Sequence, residues 1–293
     1  MNQRIAAGAR GKARMFSVGL VLGALAAGGG AWAAINRPEL YTSTPAQLSG
    51  NAAINIRPDS TDGPVALGHM FLTHNWNPTG GTGKYWNHPL AFSSMRGFSI
   101  VNMDNAAMEG GVSFNTFFYL DGAAGTLHHT VVAPQGNVSY IDNATLNGNP
   151  GALIQVTADG RGGLSSHHVG VWYNGLVRKW AIFNEDRAAM APKLRFSVLV
   201  GSSADTRVIT CTDAQRSANS CYIPQLPGNT MEQNMKLLVT QLYGSPGVYN
   251  NHAVGVWFDS SRRQWAIYNE DKASMPAGAS FLVTYFPGEL TPS

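Results

Sequence analysis

The chain repeats itself, which restricts it to folds whose related units stack or close on one another. One segment reads His168-Val169-Gly170-Val171-Trp172-Tyr173, then Trp180-Ala181-Ile182-Phe183-Asn184-Glu185-Asp186, then Met190 and Phe196. A second reads His252-Ala253-Val254-Gly255-Val256-Trp257-Phe258, then Trp265-Ala266-Ile267-Tyr268-Asn269-Glu270-Asp271, then Met275 and Phe281. An eroded copy precedes them: Asn87-His88-Pro89-Leu90-Ala91-Phe92, then Phe98-Ser99-Ile100-Val101-Asn102-Met103-Asp104, then Met108 and Phe114. Aligned on His88, His168 and His252, the copies stand 80 and 84 residues apart. An apolar segment upstream also recurs, as Met70–Thr73, Leu153–Thr157 and Leu237–Thr240.

Each copy reads as short strands. Lys179–Asn184 runs polar, Trp, Ala, Ile, Phe, Asn, which suits a strand buried on both faces or one at a sheet edge. Asn-Glu-Asp then opens a turn, because Asn and Asp side chains bond to nearby backbone. Further strands are expected at Leu194–Val200, Ala279–Phe286, Thr130–Ala133, Val138–Ile141 and Arg207–Thr210. Only Thr230–Lys236 offers a short turn of helix. The expected fold is all-β, with about five strands per repeat, either as small sandwiches or as one closed pseudo-threefold assembly. The repeats are placed at 48–126, 127–202 and 203–288, with an N-terminal segment at 34–47 and a tail at 289–293.

The pattern His-x-Val-Gly-Val-Trp, Trp-Ala-Ile-Phe-Asn-Glu-Asp and Met-Pro-x-Gly-x-x-Phe resembles a tandem repeat of uncharacterised secreted bacterial proteins. The likeness is strongest over 165–200 and 250–286; the first copy departs from it at Phe92, Phe98 and Met103. It implies export, repetition and β structure, and it carries over no activity.

Residues 1–33 read as a bacterial secretory signal. Arg4, Arg10, Lys12 and Arg14 precede an apolar run from Met15 to Ala27, and Ala31-Trp32-Ala33 closes it as a cleavage site. The run is short for a membrane span. The expected location is therefore secreted or periplasmic, with no membrane span after cleavage. The chain has 20 Lys+Arg against 17 Asp+Glu, and the leader holds four of the basic residues, which leaves 16 against 17. A neutral mature protein lacks the basic footprint of a nucleic-acid binder. In an oxidising compartment Cys211 and Cys221 are expected to pair and to reinforce a local hairpin.

The repeated polar set is His88, His168 and His252 with Asn102, Asn184, Asn269, Asp104, Asp186 and Asp271. These types suit a ligand site made once per repeat, and they equally suit turns and strand ends, which account for them fully. Glu185-Asp186 and Glu270-Asp271 raise calcium, which needs six to eight oxygens; the adjacent Arg187 and Lys272 argue against it. His128-His129 and His167-His168 lack a third ligand at a specific spacing for zinc. Neither paired glycosidase carboxylates nor a Gly-x-Ser-x-Gly elbow is identifiable around Ser165, Ser166 and His167. No metal, cofactor or catalytic residue is assigned.

Trp172, Trp180, Trp257 and Trp265 fall in strands and are expected in the core. Asn75–Trp86 is different: a Gly-rich loop, too unlike a phosphate-binding loop to be one. Trp76, Asn77, Tyr85 and Trp86 are its candidate ligand residues; its aromatic rings are expected to stay partly exposed, the alternative being that Trp76 and Trp86 fold back over the first repeat in place of the Trp that Phe92 and Phe98 no longer supply. The functional reading is a secreted, non-catalytic binding module whose partner is an extracellular glycan or a surface or matrix polymer, since repetition favours multivalent contact. The alternatives are a structural or self-assembling extracellular protein and, after that, a secreted hydrolase.

Overall fold

The computed structural model describes residues 38–54, 68–79, 83–94, 98–119, 121–225 and 231–286. The leader expected over 1–33 and the tail at 289–293 lie outside them, as do 80–82 of the Gly-rich loop. Among the described residues no helix is long and apolar enough to cross a membrane.

The molecule is all-β. The first repeat contributes β1 (Pro38–Thr42), β2 (Leu48–Ser49), β3 (Ala52–Ala53), β4 (His69–Asn75), β5 (Leu90–Ser93), β6 (Ser99–Asn102) and β7 (Ser113–Tyr119). The second contributes β8 (Thr126–Thr130), β9 (Val138–Tyr140), β10 (Leu153–Asp159), β11 (Val169–Asn174), β12 (Lys179–Asn184) and β13 (Arg195–Gly201). The third contributes β14 (Thr206–Thr210), β15 (Arg216–Ser217), β16 (Ser220–Tyr222), β17 (Lys236–Leu242), β18 (Val254–Asp259), β19 (Gln264–Asn269) and β20 (Ser280–Phe286). β1 takes in the first repeat the place that β8 and β14 take in the others, each against the last strand of its own repeat.

Two expected elements differ. The strand expected at Thr130–Ala133 ends at Thr130, because Pro134 follows and Val132 turns out to solvent. The helical turn expected at Thr230–Lys236 is absent from its described part, 231–236, where the chain turns directly into β17.

Every repeat is shared between two sheets. The long strand of each pairs antiparallel with the last strand of its own repeat, as β4 with β7, β10 with β13 and β17 with β20. Its other edge pairs in parallel with the first hairpin strand of a different repeat: β4 with β18, β10 with β5, β17 with β11. Three sheets of seven, seven and six strands result, each built from two repeats. The pairing runs cyclically, and this is the closed pseudo-threefold form of the two arrangements open from sequence.

Backbone–side-chain bonds follow the same cycle. Val239 N donates to Thr73 Oγ1 at 2.9 Å, Leu72 N to Thr157 Oγ1 at 3.4 Å and Val156 N to Thr240 Oγ1 at 3.0 Å. The three threonines are equivalent, so one side-chain type satisfies the central strands where they meet face to face. At the same centre Phe71, Leu238, Phe117 and Leu199 form an apolar cluster. Gln155 takes the place of Phe71 and Leu238 in the second repeat; it is buried and bonded to Leu282 O and to the Thr284 and Thr240 hydroxyls.

Each repeat also keeps its own core, between its half of one sheet and its half of the next. Trp180 anchors the second and Trp265 the third, with indole N–H groups on Asn149 O and Glu232 O at 2.8 and 2.9 Å. Phe98 replaces them in the first, where no such acceptor is needed. Trp172 and Trp257 depart from expectation: they are half-buried, on the outer face of their strands.

Candidate functional site

The turn after each hairpin is built alike three times. Asn102, Asn184 and Asn269 are fully buried. Their Nδ2 groups donate to Ala106 O, Ala188 O and Ala273 O at 3.0, 3.0 and 3.2 Å, pinning the turn. Asp104, Asp186 and Asp271 accept from the backbone two residues on, at Ala106, Ala188 and Ala273. The next residue is left-handed in all three copies, Asn105, Arg187 and Lys272. The repeated Asn thus holds its turn, a role that turn chemistry supplies.

The histidines need a correction. His88 Nδ1 lies 2.6 Å from Asp104 Oδ2 and His252 Nδ1 2.6 Å from Asp271 Oδ2. In the second repeat the partner of Asp186 is His167, also at 2.6 Å, and not His168. His168 takes the place of Pro89 and Ala253. Anchoring the alignment on Val-Gly-Val-Trp, whose spacing to the Asp is fixed by the hairpin, gives the right register. Burial would raise Asp104 and Asp186, but bonds from the backbone and the imidazoles outweigh it and hold both carboxyls below their ordinary value.

His88, His167, His168 and His252 line one cleft at the centre of the cycle, floored by Thr73, Thr240 and the equivalent apolar residues Leu72, Val156 and Val239. Burial first, then the neighbouring His252, lowers His168 to about 4. No side chain among the described residues hydrogen-bonds its ring.

The Glu of each Glu-Asp pair turns inward while the Asp faces the His, so the two carboxylates do not share a cation site. Glu185 Oε2 accepts from Asn250 N at 3.1 Å and Glu270 Oε2 from Trp86 N at 2.8 Å. Each bond crosses from one repeat to the next. Glu270 also meets His74 Nδ1 and the Tyr268 hydroxyl, the latter at 2.9 Å. Burial, opposed by the Asn250 N–H, pushes Glu185 up to about 7. His74 and both glutamates carry no spacing signal in sequence, because their partners lie in other repeats.

The Gly-rich loop divides into two parts. Trp86 takes the alternative course: it is only 4% exposed, packs in the first repeat's core with Phe92 and Phe98, and donates Nε1 to Asn102 Oδ1 at 2.9 Å. Asn77 is also buried, spanning Phe258 O and N at 3.2 Å each. Both are pinned by strands that the loop's composition does not reveal. Trp76 and Tyr85 keep a surface role. With Trp257, Tyr268, Asn219 and Ser220 they line a pocket. Tyr85 is 41% exposed and carries Lys272 Nζ 4.5 Å above its ring. Trp76 packs edge-on to Trp257, ring centroids 6.2 Å apart, and its buried Nε1 has no hydrogen-bond partner among the described residues. A related aromatic cluster, Tyr243, Tyr249 and Phe183 with Arg187 over Tyr249, marks the junction of the second and third repeats.

Cys211 and Cys221 form a disulfide, with Cα atoms 5.8 Å apart. It does not close a hairpin. Cys211 follows β14 and Cys221 lies in β16, so the bridge ties two sheets together inside the third core.

The profile of one protein family, described as a domain of unknown function (DUF7452), matches the chain twice, over 90–200 and 170–285. The first match contains the strands from β5 to β13 and the second those from β11 to nearly the end of β20, so each includes one of the parallel junctions between repeats. No curated protein and no solved structure is similar enough to match.

Proposed function

This chain belongs to the DUF7452 family, and from that premise and its own surface we propose a non-catalytic binding module for an extracellular glycan or a similar hydroxyl-rich surface polymer. The observation that carries the reading is the pocket itself, walled by the rings of Trp76, Tyr85, Trp257 and Tyr268. Aromatic faces beside Asn219 and Ser220 suit a sugar, which presents an apolar face and a rim of hydroxyls. The expected secretory leader fits the same setting.

A glycan array probed with the purified protein tests this. Binding to one glycan class is expected, weakened by Tyr85→Ala and by Trp76→Phe, which shrinks the aromatic wall. Silence across the array, or binding indifferent to both changes, would count against it. The self-assembly reading has its own support in the edge strands β1 and β14, where Leu40 and Val208 are exposed. Concentration-dependent light scattering of the purified protein would favour that reading.

A further inference from the structure

Apart from the aromatic pocket, His69, Asp121 and His128 each offer a ligand atom, and the three atoms lie within 4.8 Å of one another. We propose that these residues bind a divalent transition-metal ion of the zinc class, with two imidazole nitrogens and one carboxylate oxygen as ligands and a further position open to solvent.

The geometry is that of a gap held open by protein. His69 Nε2 lies 3.8 Å and His128 Nε2 3.5 Å from Asp121 Oδ1. Neither is an effective hydrogen bond. Two ligands about 2.0–2.1 Å from a tetrahedral ion stand about 3.3 Å apart, so the spacing approaches the edge of such a site. The His69 ring is fully buried and fixed by Ser197 Oγ, 2.8 Å from its Nδ1. That contact is the outer-layer bond that metal-bound imidazoles usually make, and it directs Nε2 to the gap. The His128 ring stacks on it, centroids 3.9 Å apart and planes 20° from parallel, so one ring must tilt to bring both nitrogens onto a single ion; no partner among the described residues holds the buried His128 Nδ1 against that tilt. Asp121 is half-exposed, which leaves the open position facing water.

The surrounding charge does not oppose a cation. Arg161 is held on both oxygens of the buried Asp159, and Arg195 lies 3.5 Å from the same carboxylate. With Asp121, two carboxylates stand against two guanidiniums.

The residues also break the repeat where they occur. His128 occupies the place of Leu40 in β1 and Val208 in β14, each opposite the third residue of the adjoining strand. His69 occupies the place of Leu153 and Lys236 at the start of the long strand. Turn and packing roles common to all repeats therefore do not account for them. His129, the sequence neighbour of His128, faces the opposite side of the strand, against Ser139 Oγ at 2.8 Å, and takes no part.

The test is metal binding by the purified full chain, freed of metal by chelation. Equilibrium dialysis against Zn²⁺ with elemental analysis, and calorimetric titration, should give one ion per chain. Co²⁺ in its place should give the visible absorption of a tetrahedral centre. His128→Leu, which installs the residue of the first repeat, and Asp121→Asn should each weaken Zn²⁺ binding by at least about a hundredfold, beyond the 10–100-fold of an outer-layer change. Both should melt as the unaltered protein does, and His252→Ala should bind as before. Absence of a stoichiometric ion, binding unchanged in His128→Leu and Asp121→Asn, or binding lost in His252→Ala would each overturn the proposal. Should His128→Leu fail to fold, Asp121→Asn decides alone.

Discussion

A methyl group on Gly255 would strike Oε1 of Glu270 and would lie 2.8 Å from the Tyr268 hydroxyl. Gly170 stands in the same relation to Glu185 and to the Phe183 ring. In the first repeat the corresponding residues are Ala91 and Met103, both buried. Glycine accompanies the buried carboxylate, and alanine accompanies methionine. Gly255→Ala should therefore destabilise the protein by about 1–3 kcal/mol through overpacking. Combined with Glu270→Met, the pair from the first repeat, it should cost less than the sum of the single changes. Chemical denaturation of all four members of the cycle measures this, and strict additivity would contradict it.

Glu185 gives a pH dependence with a definite sign. Its carboxyl sits at about 7 in the folded protein, above the 4.5 of an unburied group. The folded state then holds the proton more tightly, so stability from this group falls as pH rises from about 4.5 to about 7. Glu185→Gln removes the ionisation in nearly the same shape. It should raise the melting temperature at pH 8 and leave it nearly unchanged at pH 4.5, a differential of up to about 3 kcal/mol. Parallel melting curves for the two proteins across that range would contradict the assignment.

His168 acts with the opposite sign. Its pKa falls from 6.5 to about 4 on folding. The unfolded chain takes up the proton first, so stability is lost as pH drops from 6.5 towards 4. His168→Ala, the residue of the third repeat, should melt higher than the unaltered protein at pH 5 and similarly at pH 8. A pH-independent offset between the two would show that packing alone had changed.

The two tryptophans of the loop should separate. Trp86→Ala removes a buried ring and leaves Asn102 Oδ1 without its donor, a loss of about 3–5 kcal/mol. Trp76→Phe keeps a ring at the pocket wall and removes an N–H that has no partner among the described residues. Its melting temperature should stay within a few degrees of the original, as thermal scans will show.

Reduction of the disulfide should cost about 3 kcal/mol, the value for a closed loop of this length. Non-reducing peptide mapping should find Cys211 joined to Cys221. Two freely alkylating thiols in the folded, unreduced protein would count against the bridge.

Much of this was legible in the residues, and the illegible part has one physical cause. Strand identity is local, and alternation and turn chemistry marked Lys179–Asn184 and its equivalents correctly. Strand partners are not local: Asn75 pairs with Val256, and Ala158 with Ala91. Gly, Asn and Thr around Trp86 and Asn77 leave open whether the two face solvent, whereas Asn102 and Phe258 bury them. His168, which adjoins the Val-Gly-Val-Trp strand, masks His167 as the partner of Asp186.

The parallel pairing of β4 with β18 sets an order on assembly. When the first repeat leaves the ribosome, β4 is a seven-residue strand destined to be buried on both faces, with one edge bare. Its partner there is Val254–Asp259, near the far end of the chain. The first sheet therefore stays incomplete until the third repeat arrives, and this seam, which spans the most sequence of the three parallel pairings, is the slowest of them to form. A nascent chain halted before residue 254 offers that edge to whatever strand is nearby, including the free β18 of another molecule. Such an exchange would link chains head to tail through the same hydrogen bonds that otherwise close a single chain on itself.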